Sequence, residues 1–217
     1  GHRWSAATFE NCRVIRTQVT STANSAGGLS GYSSVDTTFT DCTVEDAAVT
    51  GASFAGGLIG NPTAGDFSFE RCRVAGSEVT GVNIAGGMAG YNWGGKVSFE
   101  DCEAENLTVC STGSAAGGLM GSKGGGSVHF TGCKVGQDSE TGITITGTSP
   151  AGGLVGYTFS GCTSTFARCT VGGSGSAGKI TIKGTFAGGL AGSESGGATF
   201  DDCHVVSAEV NGSDTAG

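Results

Sequence analysis

Proline and basic residues are scarce in this sequence. Two of its 217 residues are proline, and eleven are lysine or arginine against 19 aspartate or glutamate, which gives a formal net charge of −8. Nucleic acids and anionic membranes are bound through clustered basic residues, so this balance argues against both partners. No apolar run reaches the roughly 18 residues that a membrane-spanning helix needs. No stretch carries a sustained helical stripe of apolar residues either, which leaves strands as the expected secondary structure.

Glycine, by contrast, is abundant at 43 residues, and it follows a pattern. It does not fall at every third position, which excludes collagen. Six copies read Ala-Gly-Gly, then Leu or Met, any residue and Gly; they begin at Ala26, Ala55, Ala85, Ala116, Ala151 and Ala187. A glycine loop that cradles a phosphate occurs once, between a strand and a helix. Recurrence along the chain instead predicts a stacked repeat architecture.

A second landmark, Phe-x-x-Cys, runs in step with the first. Its cysteines are spaced by 30, 30, 30, 31, 36 and 34 residues and lie at positions 12, 42, 72, 102, 133, 169 and 203. Between landmarks, Val and Phe alternate with polar residues, which is typical of strands. Several short strands per period predict one coil, and parallel crossovers are overwhelmingly right-handed. The sequence therefore predicts an all-β fold over residues 1–217, a right-handed parallel β-helix (β-solenoid) of about seven coils.

Two bends follow from this arrangement. Phe and Cys are three residues apart and have opposite parity on a straight strand, so both face inward only if the polar pair between them turns a corner. The glycine pair is expected to make a second bend by adopting positive φ, which glycine reaches without a Cβ clash. The Leu or Met that follows would plug the core at that corner.

The nine cysteines are predicted to be free. Stacked, in-register neighbours have Cβ atoms roughly 4.8 Å apart, whereas a disulfide prefers about 3.8 Å. Cys110 and Cys162 lie off the ladder on different faces, so no bond is expected between them either. A zinc site needs four converging ligands, and His129 and His204 occupy unrelated points of the repeat. We therefore predict no metal site and no cofactor.

The glycine repeats resemble a known family. "AGGLVGYT" at Ala151 and its copies are similar to the GLUG motif, a glycine-rich repeat of large bacterial surface proteins. Such proteins include adhesin-like proteins and the non-catalytic part of IgA-cleaving metallopeptidases. The resemblance implies a multi-repeat parent protein at the cell surface or secreted, and it implies no catalytic residues.

Both ends of the chain favour a segment of a longer repeat protein. "SAATF" before Cys12 resembles "GGATF" before Cys203, so the first coil is entered midway. The chain stops at "AG", the first two residues expected of a further copy.

One outward column stands out as a candidate binding surface. Aromatic residues in glycine-rich loops are platforms for sugar rings or for apolar groups of a partner. The alternative is that each ring folds back over the coil edge and covers the glycines. The column after the last glycine of each copy is Tyr32, Asn61, Tyr91, Ser122, Tyr157 and Ser193, and Trp93 lies beside it. The candidate ligand-binding residues are Tyr32, Tyr91, Trp93 and Tyr157.

Three functions fit a solenoid. The first is a non-catalytic bacterial surface repeat domain, an adhesin or rigid stalk, with host glycans or a matrix protein as the ligand class. The second is a carbohydrate-active β-helix enzyme, a polysaccharide lyase or glycosidase, which needs a convergent pair of carboxylates or an acidic cluster with a basic residue. Neither the departure "YTFSGCTSTF" at Tyr157 nor the loops "GQDSETG" and "GGSGSAGK" supplies such a set. The third is an ice or crystal binder, which needs an unbroken Thr column, and Cys110, Lys183 and Asn211 interrupt it. The first, without catalysis, is favoured.

Overall fold

The chain forms a stack of coils made of short parallel strands. The computed structural model describes residues 6–136, 142–173 and 179–217, and these contain strands, turns and bends but no helix. The two loops "GQDSETG" and "GGSGSAGK" lie mostly outside the described ranges. About seven coils are present, which confirms the predicted all-β solenoid.

The strands follow one another coil by coil. The first coil contains β1 (Ala7–Glu10), β2 (Arg13–Ile15), β3 (Gln18–Ser21), β4 (Ser25–Gly27) and β5 (Ser30–Ser33). The second contains β6 (Thr37–Thr40), β7 (Thr43–Glu45), β8 (Ala48–Gly51), β9 (Phe54–Gly56) and β10 (Ile59–Pro62). The third contains β11 (Phe67–Glu70), β12 (Arg73–Ala75), β13 (Glu78–Gly81), β14 (Ile84–Gly86) and β15 (Ala89–Asn92). The fourth contains β16 (Lys96–Glu100), β17 (Glu103–Glu105), β18 (Thr108–Ser111), β19 (Ala116–Gly117) and β20 (Met120–Lys123).

The later coils are less regular. The fifth contains β21 (Gly126–Thr131), β22 (Lys134–Val135), β23 (Ile143–Gly147), β24 (Pro150–Gly152) and β25 (Val155–Thr158). The sixth contains β26 (Cys162–Ala167), β27 (Thr170–Val171), β28 (Ile180–Gly188) and β29 (Ala191–Glu194). The seventh contains β30 (Gly197–Asp201), β31 (His204–Val205) and β32 (Ala208–Ala216). In the sixth coil the long strand β28 takes the place of two strands.

Equivalent strands of successive coils pair in parallel and build four sheets. Sheet 1 runs from β1 through β6, β11, β16, β21 and β26 to β30, and sheet 2 from β2 through β7, β12, β17, β22 and β27 to β31. Sheet 3 has twelve strands, because β28 joins the ladder that starts at β3 to the ladder that starts at β4. Sheet 4 runs from β5 through β10, β15, β20 and β25 to β29. Each ladder is therefore one wall of the solenoid, and sheet 3 contains two of these walls.

A stack of phenylalanine rings runs through the interior. Neighbouring rings are nearly parallel, with centroids 4.6–5.2 Å apart and interplanar angles of 1–8°, along Phe9, Phe39, Phe69, Phe99, Phe130, Phe166 and Phe200. The separation equals the spacing of neighbouring strands. The rings stack face to face because the ladder holds equivalent residues in register. The Phe of the landmark thus faces the core, as predicted.

The corner between Phe and Cys is turned by a residue in the left-handed region. The residue before each ladder cysteine has φ of 49–64°, and these residues are Asn11, Asp41, Arg71, Asp101, Gly132, Arg168 and Asp202. Asn and Asp adopt this conformation more readily than other non-glycine residues. The reversal of the backbone brings Phe and Cys to the same side, which confirms the predicted corner.

The predicted positive φ of the repeat glycines is wrong. The glycines of the Ala-Gly-Gly copies are absent from the residues with positive φ. They are required by close backbone approach instead: a Cβ on Gly27 would lie 2.1 Å from the Ser30 carbonyl oxygen, and one on Gly57 would lie 2.2 Å from that of Gly87. The coil folds so sharply here, and the next coil lies so close, that no side chain fits.

The cysteine ladder consists of thiols, as predicted. All nine cysteines are free; Cys12, Cys110 and Cys203 are partly exposed and the other six are buried. The thiol of Cys72 contacts the carbonyl oxygen of Phe39 in the preceding coil at 3.4 Å and that of Glu70 at 3.5 Å. Burial raises the pKa of Cys42 to about 11.

Replacing Gly57 with alanine should destabilise the protein strongly. The new Cβ meets a backbone oxygen that cannot move without shifting the next coil. We therefore expect the free energy of unfolding to fall by about 1–3 kcal/mol. Urea unfolding of the variant and the unchanged protein measures this difference. Gly94→Ala is the matched control, because a Cβ there meets nothing within 4 Å. Equal stabilities for the two variants would contradict this account of the glycines.

The thiols should separate into two groups by reactivity. With iodoacetamide at pH 8, the folded protein should take up at most three labels, at Cys12, Cys110 and Cys203, because thiolate is the reactive form and buried thiols form it rarely. All nine should react in urea. Mass spectrometry counts the labels. Rapid labelling of Cys72 or Cys102 in the folded state would rule out the buried ladder.

Candidate functional site

The three tyrosines of the chain lie in one column on sheet 4. Tyr32 pairs with Asn61 in the next coil, and Tyr91, Ser122, Tyr157 and Ser193 follow one another in register. The column borders the glycine bend, so it runs along one edge of the solenoid, which we call the aromatic edge. Trp93 follows this column by two residues, beyond the end of β15.

The four candidate residues differ in their surroundings. Tyr32 and Trp93 are 58% and 67% exposed. Tyr91 is half-buried: its ring centroid lies 5.1 Å from that of Phe54 and 6.0 Å from that of Trp93, which it meets edge-on. Burial raises the pKa of its hydroxyl. Tyr157 is also half-buried and packs on Phe159 with centroids 4.4 Å apart. Two rings are thus free to meet a ligand, and two pack onto the coil edge.

Three further aromatic residues join this edge and were missed by the sequence reasoning. Phe54 packs on Tyr91, Phe159 packs on Tyr157, and Phe186 is 36% exposed. A signal for two of them was present, because the residue before each Ala-Gly-Gly copy is often apolar: Ser25, Phe54, Ile84, Ala115, Pro150 and Phe186. The repeat pattern does not reveal that the residues before the Ala-Gly-Gly copies face the tyrosine column across the bend.

The tyrosine column is not outward at every coil, contrary to expectation. Asn61 is 6% exposed and Ser122 is fully buried. Ser122 lies in register between Tyr91 and Tyr157. A short side chain between two rings is shielded from water, so the edge alternates between projecting rings and recessed small residues.

A shallow pocket opens on this edge. Its volume is about 250 Å³, and it is lined by Ser114, Ser149, Pro150, Tyr157, Phe186 and Ser193. Two aromatic rings and a proline provide apolar faces, while serine hydroxyls both donate and accept hydrogen bonds. No charged side chain lines it. Such a lining suits a neutral polyhydroxylated ligand.

Most ion pairs join side chains of neighbouring coils on the outer surface of the solenoid. Arg71 forms two hydrogen bonds to the Asp41 carboxylate, at 2.8 and 2.9 Å, and also contacts Glu70. The guanidinium beside Asp41 holds the pKa of that carboxyl below its usual value. Arg73 lies between Glu45 and Glu105, at 3.0 and 2.7 Å. The arginines thus offset the repulsion between carboxylates of neighbouring coils, and these acids stabilise the stack.

Glu194 differs from those surface acids because it is largely enclosed. It accepts hydrogen bonds from the hydroxyls of Thr158 and of Ser164, the latter at 2.9 Å. Burial raises its pKa.

Across the described ranges, no group of three His, Cys, Asp or Glu side chains is placed to hold a metal ion. No helix in these ranges could span a membrane.

Comparison with known proteins places the fold. Residues 3–164 match the family described as right-handed beta helix region. The chain belongs to the right-handed β-helix family. The predicted handedness is thereby confirmed. No curated protein matches the sequence significantly.

A solved structure resembles this β-helix. It is the crystal structure of a putative immunoglobulin A1 protease from Bacteroides ovatus, with a TM-score of 0.63 and 18% sequence identity. The match covers 91% of this chain and 57% of that one. At this identity the likeness extends to the fold alone, and this chain spans little more than half the length of the solved chain.

The two classes of edge tyrosine should respond differently to truncation. Tyr91→Ala removes a ring that packs on Phe54 and Trp93, so the free energy of unfolding should fall by about 1–2 kcal/mol. Tyr32→Ala removes an exposed ring and should change it by less than about 0.5 kcal/mol. Denaturant titration of both variants provides the comparison. A larger loss at Tyr32 than at Tyr91 would refute the assignment.

Proposed function

We propose that this β-helix is a non-catalytic, rigid domain of a bacterial cell-surface or secreted protein, and that its aromatic edge binds neutral host glycans. The observation that carries the proposal is the edge itself. Every tyrosine of the chain lies in one column, with Trp93 beside it, and Tyr32 and Trp93 are exposed. Exposed large aromatics are costly to leave in water, so their clustering on one edge favours a binding role.

The chemistry of the edge favours a sugar as the ligand. Aromatic faces stack on the apolar faces of pyranose rings, and the serine hydroxyls of the pocket near Tyr157 would bond to sugar hydroxyls. No cation lines this pocket. The net charge of −8 disfavours acidic glycans through long-range repulsion. A neutral glycan therefore suits the edge better than a sialylated or sulfated one, and a matrix protein is the competing ligand.

The setting at a bacterial surface rests on likeness. The six glycine copies resemble the GLUG motif of large bacterial surface proteins. The fold is similar to that of the Bacteroides ovatus protein described as a putative immunoglobulin A1 protease. In such a parent protein, a stacked wall would hold other domains away from the cell or present weak binding sites side by side. Sites repeated along a wall add through effective concentration.

A glycan array probed with the multimerised protein tests the binding role. We expect weak binding to neutral glycans that depends on multivalent display and falls at least about tenfold, by roughly 1.4 kcal/mol, when Tyr32 and Trp93 are both replaced by alanine. Thr50→Ala, an exposed change on sheet 3, is the matched control and should leave binding unchanged. Absence of glycan binding together with binding to a matrix protein would replace the ligand class.

The alternative is a carbohydrate-active enzyme, and Glu194 is the residue that favours it. Its raised pKa and enclosure suit a general acid. Canonical glycoside hydrolysis, however, needs a second carboxylate about 5–9.5 Å away, and the carboxylates of the Arg71 and Arg73 ladders are engaged in ion pairs. Turnover of a polysaccharide by the purified protein, abolished by Glu194→Gln, would establish the enzyme and overturn the non-catalytic proposal.

A further inference from the structure

A lysine is enclosed inside the solenoid where the repeat would place a small side chain. The residue after the tyrosine column faces inward, and from the second to the sixth coil it is Pro62, Asn92, Lys123, Thr158 and Glu194. Lys123 and Asn92 both have 0% exposure. They belong to neighbouring coils, β15 and β20, and pair directly in register.

Among the described residues the ammonium of Lys123 forms no ion pair, and the carboxylate of Asp66 acts on it only through longer-range attraction. Its Nζ donates to the side-chain oxygen of Asn92 at 2.5 Å and to the carbonyl oxygen of Gly125. A buried charge with only neutral partners is costly, and a lysine in that position tends to lose its proton. Burial lowers the pKa of Lys123 to about 8. A substantial fraction of the amine is therefore neutral and nucleophilic near physiological pH.

The geometry brings this amine to the carbon of an amide. The Nζ lies 2.5 Å from Asn92 Oδ1, and a C=O bond is about 1.23 Å long, so Nζ is within about 3.7 Å of Cγ. That is close to the 3–3.5 Å of a near-attack arrangement. The Asn92 Nδ2 group donates to the Pro62 carbonyl oxygen at 2.7 Å, which fixes the orientation of the carboxamide. Both partners are thus held in place by the coils on either side.

We propose that Lys123 and Asn92 form an intramolecular isopeptide bond that joins the third and fourth coils. The neutral Nζ attacks Cγ, the new C–N bond forms, and the Cγ–Nδ2 bond breaks. One proton passes from the attacking nitrogen to the departing nitrogen, which leaves as ammonia. The step needs no oxidant or cofactor, and the amide that remains carries no charge. The bond would remove the unpaired ammonium from the core.

The bond would also cross-link the wall that carries the aromatic edge. Asn92 and Lys123 each follow the tyrosine column by one residue, at Tyr91 and at Ser122. A covalent link between residues 31 apart would prevent these two coils from separating under load. This inference concerns the covalent structure of the chain and stands whether or not the edge binds glycans.

Intact mass of the purified protein under denaturing conditions tests the bond directly. We expect a mass lower than that of the sequence by one ammonia. A tryptic digest should contain residues 74–96 joined to residues 97–134, with no cleavage after Lys123, because an acylated lysine is not a trypsin site. A mass equal to the sequence mass, with free peptides 74–96 and 97–123, would overturn the proposal. This measurement needs no variant and so does not depend on how any variant folds.

Variants identify the two partners. Asn92→Ala and Lys123→Arg should each restore the full sequence mass of the variant. Asn92→Asp should lose one water instead of one ammonia, because the leaving group changes. Lys96→Met, at an exposed lysine in β16, is the control and should still lose ammonia. Loss of ammonia that persists in Lys123→Arg would indicate a succinimide at Asn92 and would refute the cross-link.

Discussion

The backbone ladder between coils is the constraint on which the rest of this structure depends. Backbone N–H groups donate to carbonyl groups of the coils on both sides. Gly28 donates to Gly57 in the next coil at 2.8 Å, and Thr43 donates to Cys12 in the preceding coil at 2.8 Å. A parallel ladder without slippage forces every coil to follow the same path. The side chains then fall into columns, and a residue that suits one coil must suit its neighbours. The stacked phenylalanines and the left-handed corner residues are direct consequences.

The same constraint restricts where a function can reside. Inward columns are committed to packing, and the paired charges of Arg71 and Arg73 hold neighbouring coils together on the outside. The glycine bend is different, because its glycines carry no side chains and the chain turns sharply there. Aromatic side chains from the strands on either side of the bend therefore meet, as in the contact of Phe54 with Tyr91. The aromatic edge is therefore a product of the bend, and its rigidity comes from the ladder.

Chemistry in the interior appears only where the repeat is broken. The fourth coil places Lys123 at a position that holds Pro62 two coils earlier, and the sixth coil places Glu194 there. Both are enclosed, and burial shifts their pKa values in opposite directions, down for the ammonium and up for the carboxyl. Both shifts are towards the neutral form, because a charge in a poorly hydrated interior is costly. The core of a regular solenoid thus creates reactive groups wherever a titratable residue enters an inward column.

The sequence by itself determined the periodic part of this protein. The 30-residue spacing, the inward Phe and Cys columns, the free thiols and the corner between them all follow from residue order, because a stack repeats what one coil does. Only the tertiary structure decided features that depend on how sharply a coil bends and how closely the next one lies. The repeat glycines are needed for close approach and not for positive φ. Tyr91 meets Phe54, and Ser122 is buried, because two columns converge across the bend. Lys123 reaches Asn92 because the ladder sets those two residues side by side. The alternation of inward and outward residues along the sequence does not fix the angle of a corner or the distance between the strands that meet there.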